Sequence, residues 1–202
     1  MPRGFSEQER ILIRERLLAR GYELLASHGA RKTSVDDLVR SVGISKGAFY
    51  AFFDSKEALL FDVLETFEAR YRRQLLSALP THGAPHDQIS QFLHHAMTLW
   101  HAEPLFRRFD REEFAYLTRK IPPERVAANL QHDQDFSAAL FAHWQTHGIT
   151  LTCTPEVFTA MLRGLFFMDI HADEIGPAFA QAQQAMIAAI AAYCTTPTAA
   201  PL

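Results

Sequence analysis

Cysteine is nearly absent from this sequence: Cys153 and Cys194 are the only two in 202 residues. Two thiols so far apart exclude a disulfide scaffold or a clustered zinc site and read as buried, small apolar groups, with a redox switch as the alternative. Long apolar runs are missing as well. No stretch reaches the roughly 18 uninterrupted apolar residues of a membrane span, and the first residues lack the apolar core of a secretory signal. A cytoplasmic protein with no membrane partner is expected. Strand-like alternation of useful length is absent, which excludes a sheet fold. So are a Gly-rich phosphate loop, a GxSxG elbow and a Cys/His nucleophile pattern. No enzymatic activity, catalytic residue, cofactor or bound metal is therefore predicted.

What remains is a helical chain with an uneven charge. Apolar residues make up 48% of it, enough for a sizeable core. Its net charge of −3 divides into +3 over residues 1–56, with ten basic against seven acidic side chains, and −6 over the rest. The N-terminal part is thus the one suited to phosphate. Ser6 with Glu9 forms a capping-box pattern, opening a helix that runs to about His28 and stops at Gly29. Its expected buried stripe is Ile11, Leu18, Tyr22 and Leu25. Ser55 caps a long fourth helix that buries Leu60, Val63, Leu64, Phe67, Tyr71 and Leu75 and ends before Pro80. The loop 81–85 marks the main boundary. Further helices are expected over about 86–103, 104–120, 123–147, 155–172 and 176–193, with Pro104, Pro123, Pro155 and Pro177 at their starts. The mixture of Thr, Pro and Ala beyond residue 195 reads as a flexible tail, 196–202.

Between the first and fourth helices lie two short amphipathic segments. Val35, Leu38, Val39 and Val42 share one face of the first, and Phe49 and Phe53 share one face of the second. Gly43-Ile44-Ser45 separates them, a glycine and a capping serine that suit a tight turn between helices. This is the pattern of a helix-turn-helix, whose second helix enters the major groove of DNA.

From about Glu9 to Leu64 the chain resembles the TetR family of bacterial transcriptional regulators. The likeness rests on Thr33-Ser34-Val35, Gly43-Ile44-Ser45-Lys46-Gly47, Phe49-Tyr50, Phe53 and Ser55-Lys56-Glu57-Ala58-Leu59-Leu60. It implies an all-α protein: a three-helix DNA-binding head (1–54), the connecting fourth helix (55–80) and a larger helical ligand-binding and dimerisation body (81–195). It further implies that Thr33, Ser34, Ser45, Lys46, Gly47, Ala48, Tyr50, Ala51, Phe52 and Lys56 meet a double-stranded operator. Lys46 would reach a guanine edge or a phosphate, Gly47 would admit the backbone closely, and Ala48 and Ala51 would offer methyl groups. Tyr50, Thr33 and Lys56 would hold phosphates. Two residues depart from the family pattern. Phe52 stands where a histidine or tyrosine is usual, and Asp36 adds negative charge at the start of the second helix, where a cap or helix-dipole role is the simpler reading.

For the body, the resemblance implies a homodimer and a small-molecule effector. Phe158, Met161, Leu165, Phe179, Met186, Ile187 and Ile190 are the candidate dimer face, although an intramolecular core would give the same apolar pattern. Aromatic residues crowd the middle helices, where most must be ordinary core. Met97, Trp100, Phe109, Trp144 and Phe166 are candidate pocket lining, and Arg107, Asp169 or His171 could orient a polar group. The histidines at 94, 95, 101, 143 and 147 read as solvated or hydrogen-bonded, with metal or pH sensing as the alternative. The function implied is that of a regulator, a repressor released by its ligand. The alternatives are a DNA-binding adaptor without a ligand and a metal- or pH-responsive regulator.

Overall fold

A computed structural model describes residues 5–106 and 111–196. Every regular element among them is helical. Close contacts divide the chain into two units, one of residues 1–69 with 103–127 and one of residues 70–102 with 128–202. Residues 107–110, and with them the pocket candidates Arg107 and Phe109, lie outside the described residues, as do residues 197–202 of the predicted tail.

In the first unit, α1 (Glu7–Lys32) opens with the expected reciprocal cap: the Glu9 amide donates to Ser6 Oγ, and the Ser6 amide donates to the Glu9 carboxylate at 2.7 Å. That bond holds the Glu9 carboxyl below the usual range. Its buried stripe is Leu17, Gly21, Leu24 and Leu25 rather than the one expected: Leu25 is shared, Ile11 is exposed, and Leu18 and Tyr22 are half-buried. The shift follows from Gly21, where an added Cβ would lie 2.4 Å from Leu59 Cδ2, so the helix turns its thinnest side toward that neighbour.

Gly29 does interrupt the helical geometry, at φ 80° and ψ 170°, but the chain regains helix as far as Lys32. This backbone region is essentially open only to glycine. The Ala30 amide just beyond it donates to Glu113 Oε2 at 2.6 Å, and an added Cβ at Gly29 would sit 3.1 Å from that carboxylate. Gly29→Ala should therefore cost about 1–3 kcal/mol of stability, read from the midpoint of chemical denaturation.

Ser34 caps α2 (Val35–Val42) by accepting from the Asp37 amide. Gly43 then takes the left-handed conformation at φ 78° and returns its N–H to Val39 O at 2.9 Å. Ser45 caps α3 (Lys46–Phe49), and further turns carry the chain to Phe53, whose amide donates to Phe49 O at 3.1 Å. Ser55 accepts from the Ala58 amide at the start of α4 (Lys56–Ser77), where all six expected inward residues are buried. The short α6 (Arg111–Thr118) completes the unit, with Tyr116 donating its hydroxyl to Glu57 at 3.0 Å.

The second unit holds the end of α4 from residue 70, all of α5 (Pro85–Ala102), most of α7 (Pro123–Thr146), then α8 (Pro155–Ile170), a single turn α9 (Ala172–Ile175), a 3-10 turn Gly176–Ala178, and α10 (Phe179–Thr195). Pro123 and Pro155 begin helices as expected, whereas Pro104 falls in a turn and Pro177 in the 3-10 segment. Its aromatic core joins Phe92, Phe141, Trp144 and Phe158, with ring centroids 5.3 Å apart for Trp144–Phe158 and 5.4 Å for Phe92–Trp144.

Candidate nucleic-acid interface

The turn from α2 to α3 sorts its residues sharply between inside and outside. Phe49 is fully buried and stacks on Phe53 at 5.9 Å, so α3 is anchored from beneath. On the opposite side Lys46, Gly47, Tyr50 and Ala51 are exposed, Tyr50 to 52%, and Ala48 is half-buried beside them. Gly47 has no positive φ, and a Cβ there would meet only Ser45 Oγ, at 3.9 Å. Nothing inside the protein demands a glycine at that position.

Charge on this face is held lightly. Lys46 Nζ lies 3.2 Å from Asp36 Oδ2, both side chains being more than half exposed. A pair so open contributes at most about 1 kcal/mol and yields readily to a competing anion. Asp36 is thus the partner of Lys46 rather than a cap. The cap of α2 is Ser34, whose hydroxyl accepts from the Asp37 amide and donates to the Asp37 carboxylate at 2.6 Å, a bond that keeps that carboxyl below the ordinary range. Arg40, whose side chain is 79% exposed, lies on the same helix. It escaped notice in the sequence, although it stands one helical turn from Asp36.

Several expected contacts are already engaged within the protein. Thr33 is 2% exposed and donates its hydroxyl to Gly29 O at 2.8 Å. The hydroxyls of Ser34 and Ser45 serve as helix caps. Phe52 packs between Phe5, at 5.9 Å, and the Arg10 guanidinium, at 5.1 Å, while Arg10 donates to Ala51 O. Lys56 Nζ donates to three carbonyls, Ala30 O at 3.0 Å, Arg31 O at 3.3 Å and Thr33 O at 2.7 Å. An ammonium with three N–H groups has none left for a phosphate in this arrangement. In this structure Thr33 and Lys56 hold the end of α1.

Residues 17–63 match the family model described as bacterial regulatory proteins, tetR family. These residues form a TetR-type DNA-binding head. The head is 41% identical over 61 residues to the uncharacterised HTH-type transcriptional regulator YuxN of Bacillus subtilis, covering 30% of this chain and 19% of that one. It is 36% identical over 66 residues to the HTH-type transcriptional repressor NemR of Escherichia coli, a third of each chain. The chain therefore matches well under half the length of these curated relatives. The reduced form of NemR superposes with a TM-score of 0.66 at 20% identity, over 93% of this chain and 99% of that one. A TetR-family regulator from Mesorhizobium loti gives 0.66 at 16% identity, over 92% and 96%. Such likeness shows that the TetR fold extends through the helical body.

Within that body, Trp100 and Phe166 stack at 4.2 Å with an 11° angle between rings, and Met97 is buried nearby in sequence on the same helix. Asp169 accepts from Trp100 Nε1 at 2.8 Å and contacts His101 Nε2 at 2.5 Å, so its carboxylate is engaged by the protein itself. His101, absent from the pocket candidates, is hydrogen-bonded here, one of the two settings expected for it. Trp144 belongs to the separate Phe92–Phe158 cluster, and His171 sits exposed beside Glu174. The dimer candidates also need correction. Phe158, Leu165, Ile187 and Ile190 are buried in the chain's own core and are unavailable to a partner. Met161 and Phe179 are half-buried, and Met186 is exposed. Among the described residues, no helix is long and apolar enough to cross a membrane, and no three His, Cys, Asp or Glu side chains gather as a metal site.

Proposed function

We propose that this chain is a cytoplasmic, homodimeric transcriptional repressor that binds a near-palindromic DNA operator through the Lys46–Ala51 face and releases it when a small molecule occupies the helical body. The observation carrying this reading is the face itself. A family-matched turn presents an exposed lysine, tyrosine and alanine around a glycine that internal packing does not require. One short helix reads few bases, and two copies about 34 Å apart would read two half-sites. For the partner copy, exposed Val157 and Phe167 on α8 and Met186 and Tyr193 on α10 offer apolar surface, with Gly164 open beside them. The Trp100–Phe166 stack with Asp169 and His101 is the part of the body best suited to a flat apolar effector with one polar group. Such an effector acts only by favouring one conformation over another.

Selection of bound DNA from a random pool, with and without candidate effectors, tests the reading. Enrichment of a two-fold symmetric sequence, occupied by two chains in sedimentation, is expected. A monomer that enriches nothing would overturn it. Two substitutions test the face. Lys46→Ala should change sequence preference at one or two positions, by about 1–3 kcal/mol each, while leaving the fold intact. Gly47→Ala should raise stability by up to about 1 kcal/mol, because alanine favours helix, yet weaken operator binding. Unchanged affinity in Gly47→Ala would mean that no DNA backbone approaches there.

A further inference from the structure

The two thiols, for which the sequence left a redox switch as the alternative to buried apolar groups, are neighbours in the second unit. Cys153 lies in the loop ahead of α8 and Cys194 in the last turn of α10, with their Sγ atoms 3.5 Å apart. Backbone ties hold them there. The Thr152 amide donates to Cys194 O at 2.9 Å, and the Thr152 hydroxyl donates to Tyr193 O. Both ties fall on the residues at or beside the thiols, so the approach is built into the main chain and does not depend on a side-chain rotation alone. The two sulfurs differ in setting. Cys194 is fully buried, and burial, followed by its contact with Cys153, pushes its thiol up to about 12. Cys153 is half-buried, the more exposed of the two.

We propose that Cys153 and Cys194 are a reversible oxidation site, closing to an intramolecular disulfide with a hydroperoxide as the oxidant. The Cys153 thiolate attacks one peroxide oxygen, forming an S–O bond and breaking the O–O bond. The sulfur is oxidised to the sulfenic acid, the peroxide is reduced, and the other oxygen leaves protonated as water or alcohol. The Cys194 sulfur then attacks the Cys153 sulfur. The S–S bond forms and the S–O bond breaks, and the departing hydroxide takes the Cys194 proton as water. Two thiols and one hydroperoxide thus give one disulfide, one water and the water or alcohol from the peroxide. The bond ties the loop before α8 to the end of α10 across a separation of 41 residues. This assignment does not depend on the DNA-binding reading.

The test treats the full chain with hydrogen peroxide, blocks remaining thiols by alkylation, and maps peptides without reduction. The expected product is a single cross-link between the Cys153 and Cys194 peptides, with two hydrogens lost per chain and full reversal by dithiothreitol. Cross-linking should raise the Tm by roughly 5 °C or more, as expected for closing a long loop. In Cys194→Ser the cross-link should vanish and dimedone should trap the sulfenic acid on Cys153. Complete alkylation of both thiols after peroxide would overturn the proposal. So would over-oxidation of Cys153 without a cross-link, or a disulfide found only between two chains. The wild-type map decides alone if a variant fails to fold.

Discussion

Phe49→Ala is expected to lower stability by about 3–5 kcal/mol, the usual cost of emptying an aromatic core position. That is a large share of the roughly 5–15 kcal/mol that holds a domain together. Phe49 is fully buried, stacked on Phe53 at 5.9 Å and edge-on to Tyr50 at 5.3 Å. The helix that carries it has four residues, Lys46–Phe49, far below the roughly 12–15 at which an isolated helix begins to persist. Packing, and not helix propensity, therefore keeps α3 in place, and Phe49 is its anchor. Chemical denaturation should show an earlier transition in the variant, and affinity should fall for every DNA sequence alike, because the reading surface loses its support. Phe49→Leu, which retains most of the apolar volume, should restore much of both. A variant that kept wild-type stability but lost binding would show Phe49 acting at the DNA surface instead.

Local signals were legible wherever one short segment decides the outcome. The Ser6–Glu9 cap, the Gly43 turn, the Ser55 cap and the six inward residues of α4 all follow from residues within a turn or two of each other. Position along a helix was harder. Gly21, not a larger residue, faces Leu59 in the first unit, so the buried stripe of α1 is rotated from the one that apolar spacing suggests. Spacing reports which residues share a face, but not how closely the neighbouring helix approaches.

The candidate sites were legible in proportion to how local they are. Lys46, Gly47, Tyr50 and Ala51 are exposed on one short segment. Asp36 and Lys46 are ten residues apart in sequence, and their pairing depends on the turn geometry. Phe158, Leu165, Ile187 and Ile190 lie in the chain's own core because α8 and α10 are apolar on more than one face, and spacing does not say which face turns inward: Phe167 and Tyr193, as bulky as Phe158, are exposed. The Cys153–Cys194 contact and the Asp169–His101 contact bridge 41 and 68 residues, and no periodicity could have placed them together.

Lys56→Met separates two readings of one residue. The family likeness suggests a phosphate clamp, and its loss would then leave folding unchanged and reduce the salt dependence of DNA binding by about 0.9 on logarithmic axes. In the structure the ammonium instead satisfies the carbonyls of Ala30, Arg31 and Thr33 and sits 5.5 Å over the Tyr116 ring. The last carbonyls of a helix have no partner within it, so removing Lys56 orphans them together. Hydrogen bonds to a charged group are worth about 1.5–3 kcal/mol each, and with partial exposure the three should total about 2–4 kcal/mol. Methionine keeps the apolar stem, so the loss reports the ammonium alone. The expected result is a clear drop in the unfolding midpoint, with the salt slope of the remaining folded protein unchanged. A normal midpoint with a shallower slope would return Lys56 to the DNA backbone and take the α1 clamp away.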